Sequence, residues 1–302
     1  MSLPVYATPL ERAWHFLMLG FCVCVFAFLI APIFIIIPLS FNAEPYFTFT
    51  ERMLRLDPSG FSLRWYDQLL TFGVSNADGP RDFAWWLDVW QNATWVQVAK
   101  NSTIIGVCAA AIATALGTLA ALGLSRPEMP FRRAIMAILI SPMIVPVIIV
   151  ATGLFFFYSK IGLAQTYVGI ILAHALLGIP FVVITVTATL TGFDHSLRRA
   201  ASSLGAPPLL TFRKIILPLI LPGIISGALF AFVTSFDEVV VVLFVGGHDQ
   251  QTIPRQMFNG IREQISPAIL AAATILAVVS VLLLTAVELL RRRSERLRSA
   301  SL

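Results

Sequence analysis

Two adjacent carboxylates, Asp237 and Glu238, interrupt a long apolar run and are the most conspicuous reactive groups of this sequence. An acid at the centre of a bilayer costs about 2.5–3.5 kcal/mol to insert, so an adjacent pair requires a reason. The pair is either an interfacial feature with structural partners on neighbouring helices or an acidic lining for a cationic solute. Neighbouring residues of a helix point about 100° apart, so one acid can face a pathway without the other, and the sequence leaves open which. Ser235 and Phe236, which directly precede the acids, complete the candidate substrate pathway.

A polar segment at positions 192–222 separates two apolar runs and contains its own start and stop signals. Asp194 suits a helix N-cap, because its carboxylate can accept from the free amides of the first turn. Gly205 suits the residue after that helix, where a positive φ is needed. The two prolines that follow suit the opening turn of a second helix, which would run through Ile216 and bend at Pro218. The segment is predicted to be a helix–Gly–helix hairpin, either a solvated membrane loop or a docking element for a soluble partner. Four basic residues surround it: Arg198, Arg199, Arg213 and Lys214.

The elements that must position these residues are apolar helices. Charged residues make up 12% of the chain, against about 25% in ordinary soluble domains, so the composition indicates an integral membrane protein. A helix that crosses a bilayer needs about 20 mostly apolar residues, and the runs here are too long for strands. We therefore predict an all-α integral membrane protein with six transmembrane helices at 14–41, 102–124, 134–158, 167–190, 219–245 and 267–290.

Orientation follows from the distribution of Lys and Arg, which favour the cytoplasmic side. The loop 125–133, the hairpin and the C-terminal tail are basic and fall on one side if there are six spans. The sequence thus predicts a cytoplasmic N-terminus at 1–13, a transmembrane domain at 14–290 and a basic cytoplasmic tail at 291–302. Within the transmembrane domain we expect an outer segment at 42–100 and the hairpin at 192–218. The first run is expected to remain as an anchor.

Three further features lie in or beside the apolar runs. Pro142 and Pro146 stand one turn apart, which membranes tolerate only where protein or water satisfies the freed carbonyls. His174 is isolated, and a hydrogen-bonded packing residue is favoured over a proton relay. Four tryptophans precede the second span and favour an interfacial belt over a substrate-stacking role: Trp85, Trp86, Trp90 and Trp95.

No catalytic pattern is present. The sequence lacks a phosphate-binding loop, an H-E-x-x-H pair and a G-x-S-x-G elbow, and no His, Cys and carboxylate cluster has metal-ligand spacing. We therefore predict no catalytic residue, no metal site and no cofactor bound by this chain. The net charge of +5 is explained by the cytoplasmic bias and does not indicate nucleic acid. Active transport would then need an ion gradient or a partner ATPase.

The hairpin carries a family resemblance. The residues RAASSLG at 199–205, followed after nine residues by IILP at 215–218, resemble the signature E-A-A-x-x-x-G-x9-I-x-L-P of ABC importer permeases. The resemblance covers most of the chain, from GFSLRWY through SFDEVVVVLFVGG, and the part from TLTGFDHSLRRAASSLGA through ISPAILAAATIL looks most like the second permease subunit of spermidine/putrescine importers. One departure is that Arg199 stands where the signature has Glu, which reverses a charge at the expected interface.

The resemblance implies the type I ABC importer permease fold in a bacterial inner membrane, with the hairpin inserted into a groove of an ATPase. It implies as partners a second permease subunit, two ATPase subunits that hold ATP and Mg²⁺, and a periplasmic solute-binding protein. The sequence leaves open whether the second permease is another chain or a second copy, and the resemblance favours another chain. The coupling residues that it implies are Arg199, Ala200, Ala201, Gly205, Ile215, Leu217 and Pro218.

The leading interpretation is a transmembrane subunit of an ATP-driven importer for putrescine, spermidine or a related cationic solute. Importers of the same class also carry opines, amino-acid derivatives, thiamine and anions, so these cargoes stay open. A gradient-driven secondary transporter is a different-class alternative, which the hairpin and the missing inverted repeat disfavour. A membrane scaffold without transport is disfavoured by the paired prolines and buried acids.

Overall fold

The computed structural model describes residues 8–126, 128–191, 195–263 and 266–299, and every secondary-structure element in these residues is a helix. The all-α fold class is confirmed. A 3₁₀ turn covers Pro58–Gly60 and a π-helical segment covers Phe212–Ile216. The α-helices of the described part are α1 Pro9–Leu39, α2 Glu51–Leu54, α3 Arg64–Thr71, α4 Phe83–Asn92, α5 Thr94–Leu124, α6 Arg132–Ile144, α7 Val147–Ile161, α8 Tyr167–Thr191, α9 His195–Ser203, α10 Pro208–Thr211, α11 Leu217–Phe236, α12 Val240–Val245, α13 Ile253–Glu263 and α14 Ala268–Ser299.

The chain divides into two compact units, one formed by residues up to Phe72 together with those from Gly260 on, the other by Gly73–Asn259. In the first unit, α1 and α3 both pack against α14. The segment after α1 folds around the buried side chain of Asn42, whose Nδ2 donates to the carbonyl oxygens of Tyr46 and Thr48, each at 3.0 Å. Because these carbonyls are satisfied by one amide, the segment holds a fixed turn without regular secondary structure.

The second unit is built on α5, α8 and α11, which pack closely because small residues line their contacts. A Cβ added at Gly117 of α5 would come within 2.7 Å of Val182 Cβ, and one at Gly227 of α11 within 2.8 Å of Val182 Cα. Small residues allow such backbone approach in lipid, where dispersion contacts rather than hydrophobic burial hold helices together. The three helices therefore form the frame to which the remaining elements attach.

Four helical stretches are long and apolar enough to cross a membrane: Pro9–Leu39, Thr94–Leu124, Tyr167–Thr191 and Pro208–Phe236. They correspond to the first, second, fourth and fifth predicted spans. Within α14, the sixth predicted span, the described apolar part is Ala268–Leu282, which is shorter than a span. The described residues thus provide four spans, or five if the bent pair α6 and α7 counts as one.

The third predicted span is not one straight helix. α6 and α7 meet at 100° across a break at Val145 and Pro146. Proline disfavours helical geometry at the preceding residue, and Val145 is extended, with φ −70° and ψ 134°. The expectation of a continuous helix over 134–158 was therefore wrong, and the second proline of the pair is the physical reason.

Candidate functional site

The sequence analysis expected the two acids to lie on one continuous helix, but they do not. α11 ends at Phe236, the residues 237–239 are not helical, and α12 begins at Val240. Asp237 closes α11 through its amide, which donates to the carbonyl oxygen of Val233 at 3.0 Å. The predicted helix over 219–245 and its 100° spacing of the acids were wrong, because the chain breaks at the acids themselves.

The break gives the two carboxylates different roles. Oε1 of Glu238 accepts hydrogen bonds from the backbone amides of Val240, at 2.7 Å, and Val241, at 3.0 Å. Glu238 thereby satisfies free amides at the start of α12, and such charge-assisted bonds are stronger than neutral ones. The Glu238 side chain is half-buried, whereas Asp237 is exposed. Asp237 is therefore the more accessible of the two acids.

The residues before the acids form two different contacts. Ser235 is buried, and its Oγ lies 2.8 Å from Nδ1 of His174 on α8, as the packing interpretation of that histidine expects. Phe236 stacks on Phe232 one turn earlier, with ring centroids 5.4 Å apart and an interplanar angle of 28°. Gly106 of α5 makes room for this stack, since a Cβ there would lie 3.1 Å from Phe232 Cε2. A half-buried aromatic pair therefore directly precedes an exposed carboxylate, a combination that suits an organic ammonium group.

The far end of α12 is held by Arg255 of α13, a residue that the sequence analysis missed. Its Nη1 donates to the carbonyl oxygens of Val242 at 3.1 Å, Gly246 at 3.1 Å and Gly247 at 2.9 Å. Burial lowers the pKa of this guanidinium from its ordinary value. A basic side chain near a helix C-terminus can bond the last carbonyls, but Arg255 lies on the next helix, 8 to 13 residues from the carbonyls it bonds, and nothing local connects it to α12.

The segment between α12 and α13 is fixed to the ends of α5 and α8. Nδ2 of Asn101 donates to the carbonyl oxygens of Asp249, at 2.8 Å, and Gln251, at 2.9 Å. The Tyr167 hydroxyl shares its one hydrogen between Asn101 Oδ1, at 2.8 Å, and the Asp249 carbonyl, at 2.9 Å. Polar residues at the ends of apolar runs were the available signal for this network, but their partners lie 66 to 150 residues away.

The first half of the hairpin has the predicted geometry. Gly205 has a φ of +75°, which confirms the positive φ expected after the first helix. The amide of Ala206 donates to the Ala201 carbonyl and that of Gly205 to the Ser202 carbonyl, both at 3.0 Å. This pair of bonds is the Schellman arrangement that satisfies the last carbonyls of a helix. The predicted N-cap, Asp194, lies outside the described residues.

The second half of the hairpin differs from the prediction of a helix that ends at Ile216. α10, the π-helical segment and α11 follow one another without a break from Pro208 to Phe236. The Leu217 amide donates to the Phe212 carbonyl, five residues back. A wider turn of this kind accommodates the ring of Pro218, which would clash with a carbonyl in a regular α-helix. Pro218 therefore changes the helix type rather than ending the helix.

The predicted coupling residues differ in exposure. Arg199, Ala200, Gly205 and Pro218 are exposed, Ile215 and Leu217 are half-buried, and Ala201 is buried. At the turn, Leu204 is 87% exposed and Leu209 is 69% exposed. Apolar tips of this exposure beside basic side chains are typical of a surface that meets a protein partner. A cavity of about 560 Å³ separates the hairpin from the ends of α5 and α8, with walls that include Leu122, Arg126, Leu190, Ala206 and Phe212.

The tryptophan-rich helix α4 lies immediately before α5, with only Ala93 between them. Trp85 is buried, while Trp86 and Trp90 are at least half exposed. The Lys100 ammonium lies 3.8 Å from the centroid of the Trp90 ring. An interfacial belt stays a prediction, and the exposed indoles are compatible with it.

The comparison with known families decides the class of this protein. A model of the family described as "Binding-protein-dependent transport system inner membrane component" matches residues 113–296. The chain belongs to this family. It is a multi-pass membrane permease, and the resemblance inferred from the hairpin is confirmed. The matched range includes α8, the hairpin, the acid pair and most of α14.

Relatives of this permease extend the match to nearly the whole chain. The spermidine/putrescine transport system permease protein PotC of Haemophilus influenzae is 33% identical over 92% of this chain and 98% of its own length. The putrescine transport system permease protein PotI of Escherichia coli K12 is 31% identical over 91% of this chain and 88% of its own length.

Two solved structures share the fold of this permease. A bacterial ABC transporter involved in the import of the acidic polysaccharide alginate has a chain that matches with a TM-score of 0.64 and 16% identity, covering 94% of this chain and 98% of that one. The MetNI methionine ABC transporter matches with a TM-score of 0.55 and 18% identity, covering 66% of this chain and 95% of that one. The permease fold predicted from the sequence is confirmed.

Proposed function

We propose that this permease is a transmembrane subunit of an ATP-driven importer that moves putrescine, spermidine or a related cationic solute delivered by a periplasmic binding protein. The observation that carries the proposal is near full-length similarity to permeases named for spermidine and putrescine. The site adds chemical support, because an exposed carboxylate directly follows a stacked aromatic pair. Carboxylates and aromatic faces both attract ammonium groups.

The proposal assigns energy supply to partners. Two ATPase subunits hold ATP and Mg²⁺, this chain binds no cofactor of its own, and a second, different permease completes the membrane pathway. The hairpin seats in a groove of one ATPase subunit, so that closure of the ATPase pair rocks the spans between inward and outward states. Exposed Leu204 and Leu209 support a docking role, since apolar side chains at a cytoplasmic turn gain from burial in a partner.

The topology in this proposal places the hairpin, the N-terminus and the basic tail in the cytoplasm of a bacterial inner membrane. The observation that supports it is the basic character of the hairpin, of the tail and of the loop between α5 and α6, and six spans place the N-terminus on the same side. The acid pair then lies toward the outer side, where a periplasmic binding protein releases its solute.

The test is transport by the assembled complex. The permease, its partner subunits and the binding protein are reconstituted in proteoliposomes, and ATP-dependent uptake of radiolabelled putrescine and spermidine is measured. Unlabelled thiamine, an opine and an inorganic anion serve as competitors. We expect saturable polyamine uptake that only polyamines inhibit. If a competitor is taken up instead of the polyamines, the assignment to the importer class stands and the assignment of the solute is wrong.

The secondary-transporter alternative gives a different result in the same system. A gradient-driven carrier would take up solute without ATP when an ion gradient is imposed, and no ATPase would copurify with it. We expect no uptake without ATP and stable copurification of an ATPase.

A further inference from the structure

The short helix α12 is held at both ends by side chains of opposite charge. At its start, Glu238 accepts from the amides of Val240 and Val241. At its end, Arg255 donates to three carbonyl oxygens, of which two belong to the glycines that follow the helix. Along its side, Val241, Val242 and Val245 are fully buried. α12 is therefore anchored from three directions, although it has only six residues.

The bonding of Arg255 depends on a single nitrogen. Nη1 makes all three hydrogen bonds, at 2.9 to 3.1 Å, while the buried Nε has no hydrogen-bond partner among the described residues. Partial burial of a cation is unfavourable unless polar groups compensate it, and here the carbonyl oxygens at a helix end do so. Nη1 carries two N–H groups, which the three carbonyl oxygens share. A lysine ammonium keeps the positive charge and has three donors, whereas a glutamine amide keeps two donors and loses the charge that strengthens the bonds.

The position of Arg255 is itself fixed by the helical frame of the second unit. The backbone amide of Ile253, two residues earlier, donates to Ser102 Oγ of α5 at 2.8 Å. The neighbouring Asn101 holds the carbonyls of Asp249 and Gln251. The first turn of α13 therefore has little freedom, and Arg255 is presented to α12 from a rigid support.

We propose that Arg255 is a positioning residue for the acid pair: it fixes the end of α12, keeps Glu238 engaged at the start of α12, and so leaves Asp237 as the single free carboxylate of the break. The inference deepens the proposed function and rests on it for the identity of the solute. A helix of six residues is about 9 Å long, so loosening one end reaches the other. Without Arg255, the carbonyls of Gly246 and Gly247 lose this donor and that of Val242 keeps only the Gly246 amide. The end of α12 then frays, and Glu238 is released to compete with Asp237 for the solute.

The first test concerns the structure and does not depend on the cargo. Hydrogen–deuterium exchange of residues 239–247 is measured in the assembled complex with Arg255→Gln, Arg255→Lys and the control Arg262→Gln, an exposed arginine on the same helix. We expect exchange about tenfold faster in Arg255→Gln, near the parental rate in Arg255→Lys, and unchanged in Arg262→Gln. Parental exchange in Arg255→Gln would overturn the proposal.

The second test concerns transport and separates positioning from general damage. Putrescine uptake per ATP hydrolysed is measured with saturating loaded binding protein. We expect this ratio to fall about fivefold in Arg255→Gln and in Asp237→Asn, to recover in Arg255→Lys, and to fall no further in the double variant Arg255→Gln/Asp237→Asn. Equal losses of uptake and hydrolysis, or additive losses in the double variant, would contradict a positioning role.

The outcomes also separate this inference from the proposed cargo. If the parental complex imports another solute from the competitor panel, the polyamine assignment is wrong, and the same ratio is then measured with that solute. If Arg255→Gln exchanges faster but keeps the parental ratio of uptake to ATP hydrolysis, Arg255 only caps α12, and its positioning role is overturned.

Discussion

At the residue scale, two adjacent acids of similar chemistry differ in their hydrogen bonds and in their exposure. The Glu238 carboxylate accepts hydrogen bonds from the amides of Val240 and Val241, and Asp237 remains exposed. The difference arises because α11 stops at Phe236, so the acids lie at a helix junction. An acid beside a restarting helix has free amides within reach, and only one of the two can take them.

The separated roles predict different losses for the two acids. Glu238→Ala removes two hydrogen bonds at the start of α12 and should cost about 1 kcal/mol of unfolding free energy. Asp237→Asn should leave thermal unfolding of the purified complex unchanged and lower polyamine uptake severalfold. Both variants are compared by thermal melting and by proteoliposome uptake. Parental uptake in Asp237→Asn would exclude Asp237 from the pathway.

Gly205 predicts a second separation at this scale. Its φ of +75° disfavours any side chain, and Gly162, with a φ of +74°, is similar in this respect. Neither glycine has an atom within 4 Å of an added Cβ. Gly205→Asp and Gly162→Asp therefore carry a similar backbone strain of about 1 kcal/mol. We expect only Gly205→Asp to uncouple ATP hydrolysis from uptake, with both variants inserted in the membrane. Intact uptake in Gly205→Asp would refute the coupling role of the hairpin.

At the element scale, close packing of α5, α8 and α11 sets the frame on which the site depends. A Cβ added at Gly117 of α5 would lie 2.7 Å from Val182 Cβ, while Gly123, six residues later, has no atom within 4 Å of an added Cβ. The same helix thus provides a crowded glycine and an open one.

The two glycines predict opposite effects of the same substitution. Gly117→Ala should lower the unfolding free energy by about 1–3 kcal/mol, because the added methyl overpacks the contact with Val182. Gly123→Ala should be neutral or stabilising by up to about 1 kcal/mol, since alanine favours the helix. Thermal melting of the purified permease checks both. Equal melting of the two variants would mean that the α5–α8 contact relaxes without cost.

At the scale of the whole molecule and its partners, the hairpin presents a basic and apolar surface that a soluble protein can cover. Leu204 and Leu209 are exposed at the turn, and Arg199 is exposed on α9. The signature position that Arg199 occupies has Glu in the wider family. If the contact is kept, the ATPase of this system must present a matched charge.

Arg199 therefore predicts a charge-dependent assembly. Arg199→Glu restores the residue of the family signature, yet it should weaken binding to this permease's own ATPase about tenfold, because it sets like charges against each other. Lys160→Glu, an equal change outside the hairpin, should leave binding unchanged. Copurification of the ATPase at increasing salt measures the effect. Tighter binding of Arg199→Glu would show that the ATPase presents a charge that pairs with the Glu of the family signature.

The sequence by itself determined the class, the hairpin and its turn. Runs of apolar residues, a glycine where φ must be positive, and the spacing of the 199–218 signature are local properties, and the structure and the family match agree with them. These features depend on the chain's own backbone and on the surrounding lipid, so neighbouring residues are sufficient to predict them.

Only the tertiary structure decided how the site is held. The valines after Glu238 are as apolar as those of a continuous span, so hydropathy could not detect the break at 237–239. Arg255 reaches carbonyls 8 to 13 residues away, and Asn101 reaches a carbonyl 150 residues away. The packing of α5, α8 and α11 decides which polar groups meet. It brings together residues that are far apart in the sequence, and no local pattern predicts their contact.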